Sequence, residues 1–131
     1  MSTYQFTVYP ECPEYSELSD ASRNALSDEG LNCDTGLFFG NIWYRFVPPA
    51  GTQMSEEPIP AKHCGTEMTG WVNGTHPLNT GQIVKRNICF VNFWNKDTCF
   101  RSVPVEIQSC GTFYLYKLQN PPNCVSRYCG I

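Results

Sequence analysis

Apolar and polar positions alternate most clearly toward the C-terminal end of the chain. In "RSVPVEIQSCGTFYLYKLQ", Val103, Val105 and Ile107 alternate with Glu106 and Gln108, and Phe113, Tyr114, Leu115 and Tyr116 follow a Cys110-Gly111 turn. Residues two apart on a strand share a face, so this pattern predicts a β-hairpin. Pro104 has no amide hydrogen for a ladder, which predicts an edge strand or a bulge at that point. Earlier, "NIWYRFVPPAGTQ" sets Ile42, Tyr44 and Phe46 on one side of a strand and Trp43, Arg45 and Val47 on the other. That distribution predicts a buried strand, ended by Pro48-Pro49. Arg45 reads as a guanidinium stacked on Trp or Tyr and paired with a carboxylate rather than as a binding residue. "IVKRNICFVNFW" adds an apolar run at Ile83, Val84, Ile88, Phe90 and Phe93. Near the start, Ser19-Asp20 before Ala21–Leu26 reads as a helix cap and a short helical turn, closed by Ser27–Gly30. The acidic residues around it follow no calcium-loop spacing and read as a solvated face.

Composition narrows the fold class. The 131 residues suit one compact domain, taken as 1–131 with residues 1–10 as an N-terminal flank. A hydrophobic content of 41% excludes a disordered chain, while 10 Gly and 10 Pro call for many turns. The formal net charge is −3 and no Lys/Arg cluster stands out, so neither nucleic acid nor an anionic membrane is an expected partner. No window approaches the roughly 18 consecutive apolar residues of a membrane span, which argues against membrane insertion.

Cysteine decides the compartment. Cys12, Cys33, Cys64, Cys89, Cys99, Cys110, Cys124 and Cys129 form an even set spread over the chain and read as four disulfides. A zinc site needs close thiolate pairs at roughly 2.3 Å from the ion, and no C-x-x-C occurs. Disulfides imply an oxidising setting, hence a secreted or surface-exposed protein. "MSTYQFTVYPEC" lacks the features of a signal peptide, so Met1 reads as an expression start on an excised extracellular segment. The expected class is a disulfide-rich, mainly β domain with a short helix, with no metal or cofactor and monomeric in isolation.

Candidate chemistry is sparse. His63 adjoins Cys64, but neighbours on an extended chain face opposite ways, and a disulfide-bonded Cys64 offers no thiolate. His76 lies between Thr75 and Pro77 in a turn, where a local backbone-capping role is the ordinary outcome. No nucleophile elbow, zinc-protease helix or phosphate loop occurs. Asn73-Gly74-Thr75 is the only N-x-S/T triplet and is a glycosylation acceptor if the chain is secreted. Asn73-Gly74 also suits a tight turn without any sugar.

"WYRFV", "AGTQM", "GWVNGTHP", "GQIVKRNICF", "CGTFYLYKL" and "PPNCVSRYCG" together resemble the eight-cysteine domain family of uromodulin and the pancreatic zymogen-granule membrane glycoprotein, with related modules in extracellular cnidarian proteins. The resemblance implies the pairs Cys12–Cys110, Cys33–Cys124, Cys64–Cys129 and Cys89–Cys99. Vertebrate relatives often carry a further pair, at places that here read Pro58 and Thr98. It also implies a non-catalytic extracellular module whose N-glycans serve as ligands for bacterial adhesins. Asn73 matches one family acceptor, while Lys117 and Gln119 replace the Asn and Thr of a second. The leading expectation is therefore an interaction or display module of a larger glycoprotein. Its partners would be extracellular proteins or glycan-binding proteins, microbial adhesins among them. The alternatives are carbohydrate or protein recognition through Trp43, Trp71, Trp94 and the tyrosines, and a small hydrolase built on His63 or His76.

Overall fold

The computed structural model describes residues 11–131, so the flank expected at 1–10 lies outside the described residues. Seven strands follow in chain order: β1 Tyr15–Leu18, β2 Trp43–Phe46, β3 Met68–Asn73, β4 Ile83–Phe90, β5 Arg101–Ser109, β6 Tyr114–Lys117 and β7 Ser126–Tyr128. They join in one sheet in the order β1-β2-β6-β5-β4-β3-β7. Its inner pairs are antiparallel, whereas β1 and β7 close the two ends by pairing parallel to β2 and β3.

Register places the apolar residues in rows across one face. Tyr44 lies opposite Tyr116, Tyr116 opposite Ile107 and Ile107 opposite Val84, while Val103, Ile88 and Val72 form a second row. Tyr116, Ile107, Ile88 and Val72 are fully buried. A sheet must cover its apolar face with another layer. Here the cover is irregular chain: Phe38, Ala50, Met54 and Leu118 close the core. Gly70 makes room on β3, since a Cβ there would stand 3.0 Å from both the Phe90 ring and the Arg127 carbonyl oxygen.

Four disulfides hold this cover in place. Cys33–Cys124 and Cys64–Cys129 tie the segments before and after β2 to the chain around β7, Cys12–Cys110 ties the chain before β1 to the β5–β6 turn, and Cys89–Cys99 closes the loop after β4. These are the four pairs that the family resemblance implies. The first two and Cys12–Cys110 span 91, 65 and 98 residues, and the last spans 10. Chain-entropy arguments assign about 4–5 kcal/mol to each long closure taken alone and about 3 to the short one.

A buried ionic cluster sits among the long crosslinks. Arg23 donates through two nitrogens to Asp34 at 2.8 and 3.0 Å, and also to the Tyr128 carbonyl at 2.9 Å. Asp34 in turn accepts the Tyr128 amide at 2.8 Å, so side chains from the segment around Cys33 satisfy the backbone of β7. Arg127 extends the cluster to Ser22, Asp20 and the Cys64 carbonyl. Burial, and then the nearby Arg23 charge, lower its pKa from the ordinary arginine value.

Several expectations are refined. Asp20 does cap a helical turn, accepting the Ser22 amide, but the turn is a single 3₁₀ one at Ala21–Arg23. The β2 strand is only half-buried apart from Phe46, because it has the short β1 as its outer neighbour. Pro104 lies on an inner strand, not an edge. It pairs with Asn87 of β4, but β6 reaches only as far as Glu106, so among the described residues no strand flanks Pro104 on that side. Arg45 stacks 3.9 Å over the Phe113 ring and donates to the Tyr15 hydroxyl at 3.1 Å. That phenol, rather than the expected carboxylate, is its polar partner among the described residues.

Replacing Asp34 by Ala strands Arg23 and the Tyr128 amide in the interior. The expected cost is about 3–5 kcal/mol, read from denaturant midpoints, whereas Asp28→Ala on the exposed loop shifts stability by less than about 0.5 kcal/mol.

Candidate functional site

The Asn73 turn is built by β3, β4 and one arginine. Asn73 is the last residue of β3 and pairs with Asn87 of β4. Gly74 has φ +138°, and Arg86 fills the space a Cβ would need, with its Cδ 2.6 Å away from that position. The Arg86 Nε donates to the Thr75 carbonyl at 3.0 Å and fixes the turn against β4. Asn73, Gly74 and Thr75 are all exposed. The acceptor amide and its threonine thus both face solvent, as an acceptor triplet requires.

One residue later the chain dives into the core. His76 is buried, its Nδ1 lies 2.6 Å from Glu56 Oε2 and its Nε2 lies 2.6 Å from the Tyr116 hydroxyl. The Tyr116 hydroxyl also accepts the Met54 amide at 2.9 Å, and Glu56 accepts the His76 amide at 2.6 Å. A proton on Nδ1 satisfies every group: the ring donates to Glu56, and Tyr116 donates to Nε2 while accepting from Met54. Tyr114 and Tyr116 flank the imidazole at 4.4 and 5.7 Å between centroids. In place of the expected local backbone cap, the ring therefore bridges two side chains 20 and 40 residues away.

Carboxylate, imidazole and hydroxyl in a row invite a catalytic reading, which the geometry opposes. Tyr116 is fully buried, and burial pushes its hydroxyl pKa up from the ordinary tyrosine value. A small hollow of about 170 Å³ has His76 in its lining, and both ring nitrogens are already engaged within the fold. His63 adjoins a Cys64 whose sulfur is bonded to Cys129, so it has no thiolate beside it to activate. The backbone and ring hydrogen bonds from His76 hold the Glu56 carboxyl below its usual range.

The aromatic side chains do not form one platform. Trp71 is buried and donates its indole N–H to the Thr98 carbonyl at 2.8 Å. Trp43 is half-buried on β2, four places from β3 in the sheet, under the Lys117 ammonium at 5.6 Å. Trp94 alone among the tryptophans is broadly exposed, at 82%, on the loop after β4 with its ring 4.5 Å from that of Phe93. Pro58 and Thr98 both line a groove beside that loop. Sequence reasoning missed both the His76 network and this groove. The one signal pointing to the groove is a short Cys89–Cys99 loop carrying adjacent Phe93 and Trp94.

Comparison with known proteins places this architecture. A family described as a uromodulin-like domain matches residues 44–130. Uromodulin of Mus musculus is 35% identical over 119 residues, covering 90% of this chain and 18% of that protein. The "Pancreatic secretory granule membrane major glycoprotein GP2" is 36% identical in Canis lupus familiaris and 37% in Rattus norvegicus, covering 92% of this chain and 23% of each relative. The chain therefore spans only about a fifth of the length of these curated relatives.

Tyr116→Phe leaves the Met54 amide and one imidazole nitrogen without partners, so a loss of about 2 kcal/mol is expected in thermal or denaturant unfolding. Because the folded carboxyl of Glu56 titrates below its ordinary value of 4.5, its contribution is complete above that pH and is lost as pH falls through the folded value. Glu56→Gln is accordingly expected to flatten the stability profile below about pH 4.5; an unchanged acid limb contradicts the role given to this contact.

Proposed function

The chain belongs to the uromodulin-like family of eight-cysteine domains, and on that premise we propose that it is a non-catalytic extracellular module of a larger glycoprotein, presenting an N-linked glycan at Asn73. The observation that carries this reading is the exposure of both Asn73 and Thr75 at the end of a β-strand, on a turn pinned by Arg86. A rigid scaffold with an exposed acceptor presents a sugar in a fixed direction while the core beneath is undisturbed. The four disulfides suit an oxidising compartment. Among the described residues no helix is long and apolar enough to cross a membrane.

A glycan at this position offers itself to glycan-binding proteins, microbial adhesins among them. The display differs from that implied for relatives with a second acceptor. Here Lys117 instead covers the Trp43 ring, and Gln119 packs against Gly40. The turn at Asn73 therefore carries the whole display at these two places.

Expression through a eukaryotic secretory pathway tests the proposal. Intact mass before and after enzymatic removal of N-glycans should report one occupied site, and Thr75→Ala should abolish it without changing the disulfide-intact mass otherwise. A wild-type chain that is secreted with Asn73 unoccupied overturns the glycan-display reading.

A further inference from the structure

On the far end of β3 from the acceptor turn, the Pro58–Lys62 segment and the loop after β4 enclose an apolar groove of about 470 Å³. That volume falls in the range of small-ligand sites, roughly 300–1,000 Å³. Ile59 and Val91 are buried in its wall, and Phe93, packed on the main core, completes it. Trp94 packs against Phe93 with its ring tilted by 39° and carries the aromatic surface out to solvent. The wall is firm. Val91 packs with Trp71 and the crosslinked Cys89, and the Asn92 carboxamide oxygen accepts the amides of Trp94 and Asn95.

Two cations stand at the rim of this apolar groove. Lys62 and Lys96 both line it and are exposed, and neither has a carboxylate within 4.0 Å among the described residues. The Lys62 ammonium lies 5.9 Å from the Phe93 ring centroid. Nearby Asp97 spends its carboxylate on the Cys99 amide at 3.0 Å, within its own loop. Both lysines also hold left-handed backbone, at φ 65° and 60°, each fixed by an amide hydrogen bond, to the Glu67 and Asn92 carbonyls respectively. The chain thus carries two unpaired positive charges beside an apolar cavity, on a molecule whose net charge is −3.

We propose that this groove binds an amphipathic organic anion, an aromatic body seated against Ile59, Val91 and Phe93 with its carboxylate held by the ammonium groups of Lys62 and Lys96. The inference is independent of glycosylation at Asn73. A free aromatic acid and the C-terminal residue of a peptide share this chemistry.

Nuclear magnetic resonance titration of the 131-residue chain tests it, with indole-3-propionate, its uncharged amide, and a short uncharged peptide ending in a phenylalanine carboxylate as probes. Saturable shifts confined to Lys62, Val91, Phe93 and Lys96 are expected, with Kd on the order of 0.1–1 mM for at least one acid. The amide should bind about tenfold more weakly than the acid. The double substitution Lys62→Gln with Lys96→Gln should cost a similar factor, with the rest of the spectrum unchanged. Tighter binding of the peptide assigns the site to a chain terminus, and tighter binding of the free acid assigns it to a small molecule. No saturable shift from either acid up to about 10 mM, or equal binding of acid and amide to the wild-type chain, overturns the proposal whether or not the variant folds.

Discussion

A single sheet with one apolar face and no second layer of regular structure among the described residues is the constraint on which this protein is built. The face presents Tyr116, Ile107, Ile88 and Val72, and the material that keeps water from it is irregular chain bearing Phe38, Ala50, Met54 and Leu118. Irregular segments gain little from local hydrogen bonding, and their backbone entropy opposes a fixed position. Three long disulfides remove much of that entropy from the unfolded chain and fasten the cover to the strands around β7 and the β5–β6 turn. All eight cysteine sulfurs are consumed in this way and by the short Cys89–Cys99 closure, so no free thiol remains as a metal ligand or nucleophile.

Covering a core with irregular chain creates a second problem, because such chain brings polar backbone groups inside. The structure answers it twice with polar and charged side chains. Arg23 and Asp34 satisfy the amide and carbonyl of Tyr128 beside two crosslinks. Glu56, His76 and Tyr116 do the same for the Met54 and His76 amides below the acceptor turn. An imidazole serves well in the second place because it bridges two oxygens on opposite sides. The same engagement occupies both ring nitrogens with partners inside the fold.

What is legible in the sequence follows from range. The β5–β6 hairpin declares itself because alternation and its turn lie within one short stretch, and β4 because its apolar run is long. The disulfide pairing comes from likeness to a family, since spacing alone leaves the partners open. The end strands do not show: β1 is largely exposed, β7 has three residues, and both pair in parallel with distant partners. β3 gives no clear strand signal because Asn73-Gly74 at its end dominates locally as a turn. His76 misleads for a related reason, since its sequence neighbours are Thr75 and Pro77 while its true partners arrive from 20 and 40 residues away. Asn73, by contrast, needs only the following two residues to be recognised, and its exposure is what the fold adds.

If covalent closure is what keeps the cover on the sheet, breaking the crosslinks should release it even though every strand sequence is intact. Near-ultraviolet circular dichroism of the chain, before and after complete reduction and alkylation at neutral pH, reads this directly, because Phe38, Phe46, Tyr116 and Tyr128 owe their fixed asymmetric surroundings to the closed core. Collapse of the aromatic signal in the alkylated chain is the predicted result. Retention of the native aromatic spectrum with all eight sulfurs blocked would contradict the account.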